Sequence, residues 1–339
     1  MLLADNVVGN QQDWAQFVSL ADEHKTPLLR LIPKGDKPVN RLHQYQADKY
    51  DAPAPSNMPE GKDWDTFEAA AANRVELKSR VQRFDKTCAV SVLSQDVTNA
   101  AGVKDELARE IRKKTEELSR SIEAALGSDQ IAYEDDGVTQ DRFQGMGLWV
   151  QSGTTNQLYA TPSGVRPTAS QIYTGTKANL NEDAVRNLLE AQWKATGGTG
   201  SMALVVGSQL KRRFSAFTLY VPSDLSTVNG STANNRNLSD TTLSRVIDRY
   251  NSEFGDYELH LSRWLAHPDF SSAAYTSTTK ADWRGYGVNL DKWSIRWNTM
   301  PNVVKPEFKG GSYKAAMYCI LSLCCLNPIG ETKIDPSDA

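Results

Sequence analysis

The stretch from Gln95 to Leu126 constrains the chain most. After Gly102 there is no Gly or Pro until Gly127. Leu107, Ile111, Leu118, Ile122 and Leu126 fall at offsets 0, 4, 11, 15 and 19, one stripe at a 3.6-residue period. Thr115 takes the missing place in that stripe, and the other faces carry Lys, Arg and Glu, residues of good helix propensity. Counted from Ala101, the helix is roughly 39 Å long at 1.5 Å per residue. Gly127 stands where a C-terminal cap belongs. A helix this long, apolar on one narrow side, is expected to lie across other structure as a strut and not to be wrapped by a core. The plain alternative is a surface helix of a bundle.

The 339 residues suffice for two or three units with real cores. Lys plus Arg is 38 and Asp plus Glu is 41, a net charge of -3. That balance argues against wholesale nucleic-acid binding, which needs a basic face, while leaving room for one locally basic surface. No run approaches 18 apolar residues, so no membrane span is expected. The first residues, MLLADNVVGNQQDW, have neither a basic n-region nor a long apolar h-region, and cytosolic synthesis is expected. Cys88, Cys319, Cys324 and Cys325 read as small hydrophobes in a reducing compartment, not as a disulfide framework.

Residues 8 to 24 carry a short amphipathic pattern with Trp14, Phe17, Val18 and Ala21 on one side. KTPLLRLIPKGDKP follows, with three prolines and a glycine within twelve residues. It reads as an extended arm whose apolar middle, Leu28 to Ile32, is buried elsewhere, on a neighbouring subunit. Val39 to Tyr50 and Arg74 to Val92 alternate as strands, and Asp51 to Gly61 is a loop by composition. The segment 64–73 has helical propensity. Together these predict a long, charged hairpin that is marginal alone and sensible if packed on another molecule. After the strut, Ser128 to Asp141 is polar, Phe143 to Val150 apolar, and 151–179 irregular. Asn181 to Ala195 is an amphipathic helix. Met202 to Val206 is a buried strand, and Ser208 caps a helix through Phe217. Residues 222–241 form a polar loop. Leu243 to Asn251 and Tyr257 to Leu265 form a hairpin. Val288 to Trp297 is a further strand or a pair of short strands, Tyr313 to Leu326 a closing strand ended by Asn327-Pro328, and the tail from Gly330 is expected to fray.

The search for chemistry returns little. Ser208-Gln209-Leu210-Lys211 matches the S-x-x-K pattern of serine acyl enzymes, in which the Lys activates the Ser. Its companion motifs have no useful counterpart here, and a helix-start Ser followed by a solvated Lys is the better reading. Gly197 to Ser201 (GGTGS) follows a helix, precedes a strand and lacks the Walker lysine, so it reads as a connector. His24, His43, His260 and His267 have no partners at metal-ligand spacing. Glu134-Asp135-Asp136 lacks the spaced oxygens of a calcium loop and reads as a solvated turn. Trp64, Trp264, Trp283, Trp293 and Trp297 read as core or interface anchors and not as a base-stacking platform. No catalytic, cofactor-binding or metal-binding residue is therefore assigned, and no cofactor.

The order and spacing of several short strings resemble the major capsid proteins of tailed bacteriophages. The strings are Thr26-Pro27 before Leu28 to Ile32, Lys34-Gly35, Asn40 to Asp48, Glu60-Gly61, and Val81 to Val92 leading through Ala101-Gly102 into the strut. Then come Phe254-Gly255, Arg263-Trp264-Leu265, Leu290-Asp291-Lys292-Trp293 and the strand ending in Asn327-Pro328. The similarity spans roughly residues 25 to 328, with Tyr45 where a Trp is expected and Ser121 where an Asp is usual. The resemblance implies an α+β, Hong Kong 97-like major capsid fold of the short N-arm group. It implies an N-terminal arm over 1–35, an extended E-loop hairpin over 36–92, and a P-domain with its long spine helix over 93–140. It also implies an axial A-domain over 141–240, with 241–339 supplying strands shared between those two domains and the C-terminal tail. The implied function is self-assembly, as hexamers and pentamers, into the icosahedral head of a double-stranded DNA phage, a virion protein made in the host cytoplasm. Implied partners are neighbouring subunits through N-arm and E-loop, a portal protein, scaffold and decoration proteins, and packaged DNA held non-specifically. Some relatives form Lys–Asn cross-links. Lys62 and Lys78 lie on the hairpin, but no Asn and catalytic Glu match, so no cross-link is expected. An encapsulin-like nanocompartment shell is the alternative, and a Ser-Lys hydrolase a remote one.

Overall fold

The computed structural model describes residues 26–53, 55, 60–63, 67, 73–96, 105–153, 159, 161–197, 201–217, 248–267, 270, 279–308 and 310–337. The helical pattern over 8–24, most of 64–73, the start of the strut at Ala101 and the polar loop 222–241 lie outside these residues. In chain order the elements are α1 (Pro27–Leu31), β1 (Lys34–Gly35), β2 (Leu42–Ala47), β3 (Val75–Arg80), β4 (Gln82–Ser91), α2 (Val92–Asp96), α3 (Glu106–Leu126) and α4 (Met146–Trp149). They continue with β5 (Ile172–Tyr173), α5 (Glu182–Thr196), β6 (Met202–Val206), α6 (Ser208–Phe217), β7 (Arg249–Ser252) and β8 (Gly255–Leu261). The last are α7 (Thr279–Trp283), β9 (Gly285–Asn289), β10 (Trp293–Val304), β11 (Ser312–Cys325) and β12 (Thr332–Ile334).

The strut is α3. Asp105 caps it by accepting from the Ala108 N–H at 3.0 Å, satisfying one donor that the first turn leaves free. Leu118, Ile122 and Leu126 of the stripe are buried, whereas Leu107 and Ile111 are only half-buried. The last turn is different again, because Glu123, Ala124, Ala125 and Leu126 are all buried. The helix is thus a strut along β4 and β11 for most of its length, but it is rooted in the core at its C-terminal end. Gly127 closes it without a left-handed turn, at φ -82°. Glycine is needed there for close approach: an added Cβ would sit 3.0 Å from Leu265 and 3.3 Å from Leu28.

Two sheets flank that root. The first runs β1-β10-β11-β4, with β10, β11 and β4 antiparallel and β1 parallel to β10. The second runs β5-β12-β9-β6-β8-β7. Its central strand, β6, is buried at every position, as a strand covered on both faces must be. Ala203 and Val205 face the cluster that holds Leu118, Ile122 and Trp293. Met202, Leu204 and Val206 face a second cluster with Val185 and Leu189 of α5 and Phe214 of α6. The alternation of β6 joins the two cores.

Four expectations are corrected. The proline-rich arm is not fully extended: Pro27 occupies the first helical position, where its missing N–H costs nothing, and α1 follows. Leu28 and Ile32 are buried in the chain's own core and not on a neighbour. Arg74 to Val92 is two strands, because the chain changes sheets at Val81: β3 pairs with β2, and β4 with β11. Of the two readings of Val288 to Trp297, the pair of strands is the one found: it divides between β9 and β10, in different sheets. The tail after Gly330 is not frayed: β12 is buried between β5 and β9. The helix Asn181 to Ala195 and the closing strand β11 stand close to their expected bounds; the expected hairpin is present as β7–β8 but is shorter at its second strand, and 243–247 of its first lie outside the described residues. Among the described residues no helix is long and apolar enough to cross a membrane.

Candidate assembly elements and the charges that anchor them

The hairpin β2–β3 pairs Leu42 with Arg80 and Ala47 with Val75. Its root packs on the chain's own first sheet. The Ser79 hydroxyl lies 2.7 Å from that of Ser322 and donates to the Leu323 carbonyl at 2.7 Å. The Tyr45 hydroxyl donates to the Cys325 carbonyl at 2.8 Å, a bond that gives the phenol at this position a use of its own. Beyond the root, Tyr50 and Phe67 are almost fully exposed, large apolar groups with no cover from the described chain.

Glu123 anchors the arm. Its carboxylate accepts from the Leu28 N–H at 3.0 Å and the Leu29 N–H at 2.9 Å, and from the Ser262 hydroxyl at 3.3 Å. These are the free donors at the start of α1, so the acid serves as that turn's cap from another helix. Among the described residues no arginine or lysine pairs with it. Burial pushes its pKa up to about 7, against the three hydrogen bonds that favour the ion.

A buried ionic cluster ties β9 and β12 to the segment after α3. Arg284 is fully buried, 2.7 Å from Asp129 and 2.6 Å from Asp335. Lys333 lies 3.3 Å from Asp129 and donates to the Gly147 carbonyl at 2.9 Å. Burial opposes the charge on Arg284, but Tyr286, Asp129 and Asp335 outweigh it and raise the pKa. Burial dominates at Lys333 and lowers its pKa, the carboxylates notwithstanding. The two buried cations balance the two anions, the condition under which buried charges persist, and the exposed Lys280 reaches Asp335 from outside at 3.6 Å. Glu331 is a second isolated acid. It accepts from the Asn289 N–H at 3.0 Å, and burial pushes its pKa up to about 8.

The acidic run lies in an exposed loop, as a solvated turn should, but its carboxylates are engaged there. Glu134 pairs with Arg80, Asp135 lies 3.6 Å from Arg41, and Asp136 accepts from the Val138 and Thr139 N–H groups. Those N–H groups and the Tyr133 hydroxyl hold the Asp136 pKa down at about 2. Ser208 is the first residue of α6 and not its cap, since Lys211 N–H bonds the Gly207 carbonyl. Its hydroxyl donates to Asp282 at 2.8 Å, and Lys211 pairs with Asp248 at 3.1 Å. The two residues of the S-x-x-K pattern are therefore each bound to a different acid. Lys78 pairs with Glu76 at 3.4 Å.

The histidines are scattered: His43 stacks on Tyr45, His267 meets Phe270 edge-on, and His260 faces Glu258 at 3.7 Å. His24, Trp64 and most of GGTGS lie outside the described residues. Trp293 is buried in the first core, and Trp297 packs against it. Trp264 carries Arg120 and Arg263 over its ring, and Trp283 carries Lys177. Cys319, Cys324 and Cys325 are buried and unbonded, with Cys88 half-buried. The residues that sequence reasoning missed are the isolated acids and ionic pairs. Each is a charged residue whose partner lies far away in the chain, and no local period marks it.

A strut helix laid along one sheet, a second sheet sharing its core, and a hairpin leaving the junction make a plate with projecting parts. The solved structures that the chain matches include capsid subunits of phages and of a GTA particle, and the chain has their Hong Kong 97-like fold. It aligns over its whole length with 97% of a subunit from the capsid of cyanophage P-SCSP1u, at 10% identity and a TM-score of 0.61. The mature capsid of bacteriophage PhiM1 matches equally widely, 100% of this chain and 97% of that one, at 10% identity and 0.58. The capsid of a native GTA particle covers 98% and 96%, at 13% identity and 0.55. A sequence comparison with curated proteins gives no match. The chain belongs to the SU10 major capsid protein family, whose model matches residues 3–334. It is a phage major capsid protein, and the nanocompartment alternative gives way to that family.

Proposed function

We propose that this capsid protein closes an icosahedral shell by reaching across its neighbours with the hairpin and the segment before α1. The observation that carries this reading is the hairpin beyond its root, where Tyr50 is 97% and Phe67 81% exposed. Exposed apolar groups of that size, beyond the paired strands, are covered when a second copy supplies the surface. Many such weak contacts, each repeated by symmetry, sum to a stable wall. In this reading residues 1–35 are the N-arm, and the E-loop is the part of 36–92 before Val81. The spine α3 with β4, β10 and β11 is the P-domain, and the second sheet with α5 and α6 is the A-domain. Hexamers and pentamers of one chain, a portal, scaffold and decoration proteins, and DNA held non-specifically complete the head after synthesis in the host cytoplasm. Neither hydrolase activity nor Lys–Asn cross-linking through Lys62 or Lys78 belongs to the proposal. The separate acid partners of Ser208 and Lys211 support the first of these exclusions.

The test shortens the hairpin. Replacing residues 48–74 by a tight Asn-Gly turn keeps β2 paired with β3. The shortened chain is expected to fold with the circular dichroism of the full chain and to stay unassembled. Normal shells from it would overturn the role given to the hairpin.

A further inference from the structure

We propose that Asp141 is a catch that sets the angle of the β2–β3 hairpin by gripping the root of both its strands at once. The proposal rests on the reading that the hairpin reaches a neighbouring subunit. The chain enters the hairpin through the short connector 36–41 and leaves it through Val81 alone, directly into β4. Both are pivots, and Val81 N–H bonds the Arg41 carbonyl at 3.0 Å across them. On one side the root is fixed to β11 by Ser79 and Tyr45. One line of attachment leaves a hinge, and a second, off that line, fixes an angle.

The second attachment is ionic. Arg80 ends β3, and Arg41 directly precedes β2. Asp141 accepts from Arg80 Nη1 at 2.7 Å, and its other oxygen lies 3.7 Å from Arg41 Nη1. The remaining edges of the Arg80 fork are also taken, by Glu134 at Nη2 and by the Tyr159 hydroxyl at Nε, 2.9 Å away. The loop presenting these acids is braced. Tyr133 and Arg142 form a backbone bridge at its base, and Asp135 N–H donates back to Asp141 at 3.0 Å. A stiff loop and a planar fork make a directional contact. The Arg80 and Asp141 side chains are 8% and 11% exposed, whereas that of Arg41 is 67% exposed. The inner pair is sheltered from salt, and the outer pair is screened by it. The catch therefore holds at low ionic strength with two grips and at high ionic strength with one.

The experiment uses the full chain, as soluble subunit and as assembled product. Amide hydrogen exchange is followed at 42–47 and 75–80 with β10–β11 as internal reference. Asp141→Asn is expected to speed exchange at the root about tenfold while the reference strands stay unchanged, and its shells are expected to vary in diameter. Arg41→Ala keeps the buried pair and so keeps the fold. Its root exchange is expected to be indifferent to raising NaCl to about 1 M, which speeds exchange in the unaltered chain. Unchanged root exchange in Asp141→Asn, an equal rise in every strand, or shells of unaltered uniform diameter would overturn the catch. If the unaltered chain forms no shells, the reading of the hairpin fails, and the exchange measurements still decide the catch.

Discussion

Glu123→Gln removes a charge from the root of α3 while keeping the shape of the side chain. The acid is buried, has no cationic partner among the described residues and accepts two backbone donors at the start of α1. Burial raises its pKa from 4.5 to about 7 in the folded chain. A folded pKa above the unfolded one means that the native state holds the proton more tightly. The stabilising contribution is thus fully present below pH about 4.5 and is lost as pH rises through about 7. At about 1.4 kcal/mol per unit, the loss between pH 5 and 8 is on the order of 2–3 kcal/mol for this group. Glu331, raised to about 8, adds a loss of the same sign. Urea unfolding of the soluble subunit at pH 5 and pH 8 measures both. The unaltered chain is expected to be less stable at pH 8, and Glu123→Gln to narrow the gap by about 2–3 kcal/mol. The variant also loses about 1–3 kcal/mol at every pH, because one amide oxygen cannot accept both N–H groups. An unchanged pH gap in Glu123→Gln would refute the assignment of that acid as buried and unpaired.

Three further outcomes follow from burial and pairing. Leu118 is 1% exposed and Ile111 only half-buried, so Leu118→Asp is expected to abolish soluble expression. Ile111→Asp should give a folded subunit weakened by about 1–2 kcal/mol in denaturant unfolding. Arg284→Met leaves Asp129 and Asp335 with Lys333 as their one buried cation, and a loss of about 3–5 kcal/mol is expected by the same assay. Ser208→Ala removes one hydroxyl from an exposed pair with Asp282 and is expected to shift stability by less than about 1 kcal/mol. Ester-hydrolysis assays should not distinguish it from the unaltered chain.

The legible parts of the chain were those with local causes. The stripe of α3 marked its buried side toward the C-terminal end because Leu118, Ile122 and Leu126 recur at helical spacing, although the described helix starts only at Glu106. The run Met202 to Val206 read as buried because five apolar residues in a row need cover on both faces. Misreadings arose where a partner lies far off in sequence. Glu123 sits in a charged helix and reads as solvated, yet its donors are 95 and 94 residues away. Lys333 and Asp335 make the tail look polar, but Asp129 and Arg284 draw it into the core. The acidic run is the exposed loop its composition suggests, but nothing local signals its pairing with Arg80 and Arg41. Pro27 read as a breaker because a proline that starts a helix looks the same as one that ends it.

The most direct test of the account is negative-stain imaging of the purified full-length chain across a range of salt and crowding. Closed shells of uniform diameter are the predicted result, with the hairpin of each subunit on its neighbour in an averaged reconstruction. A chain that stays monomeric under every condition, with no shells in the producing cells, would contradict it.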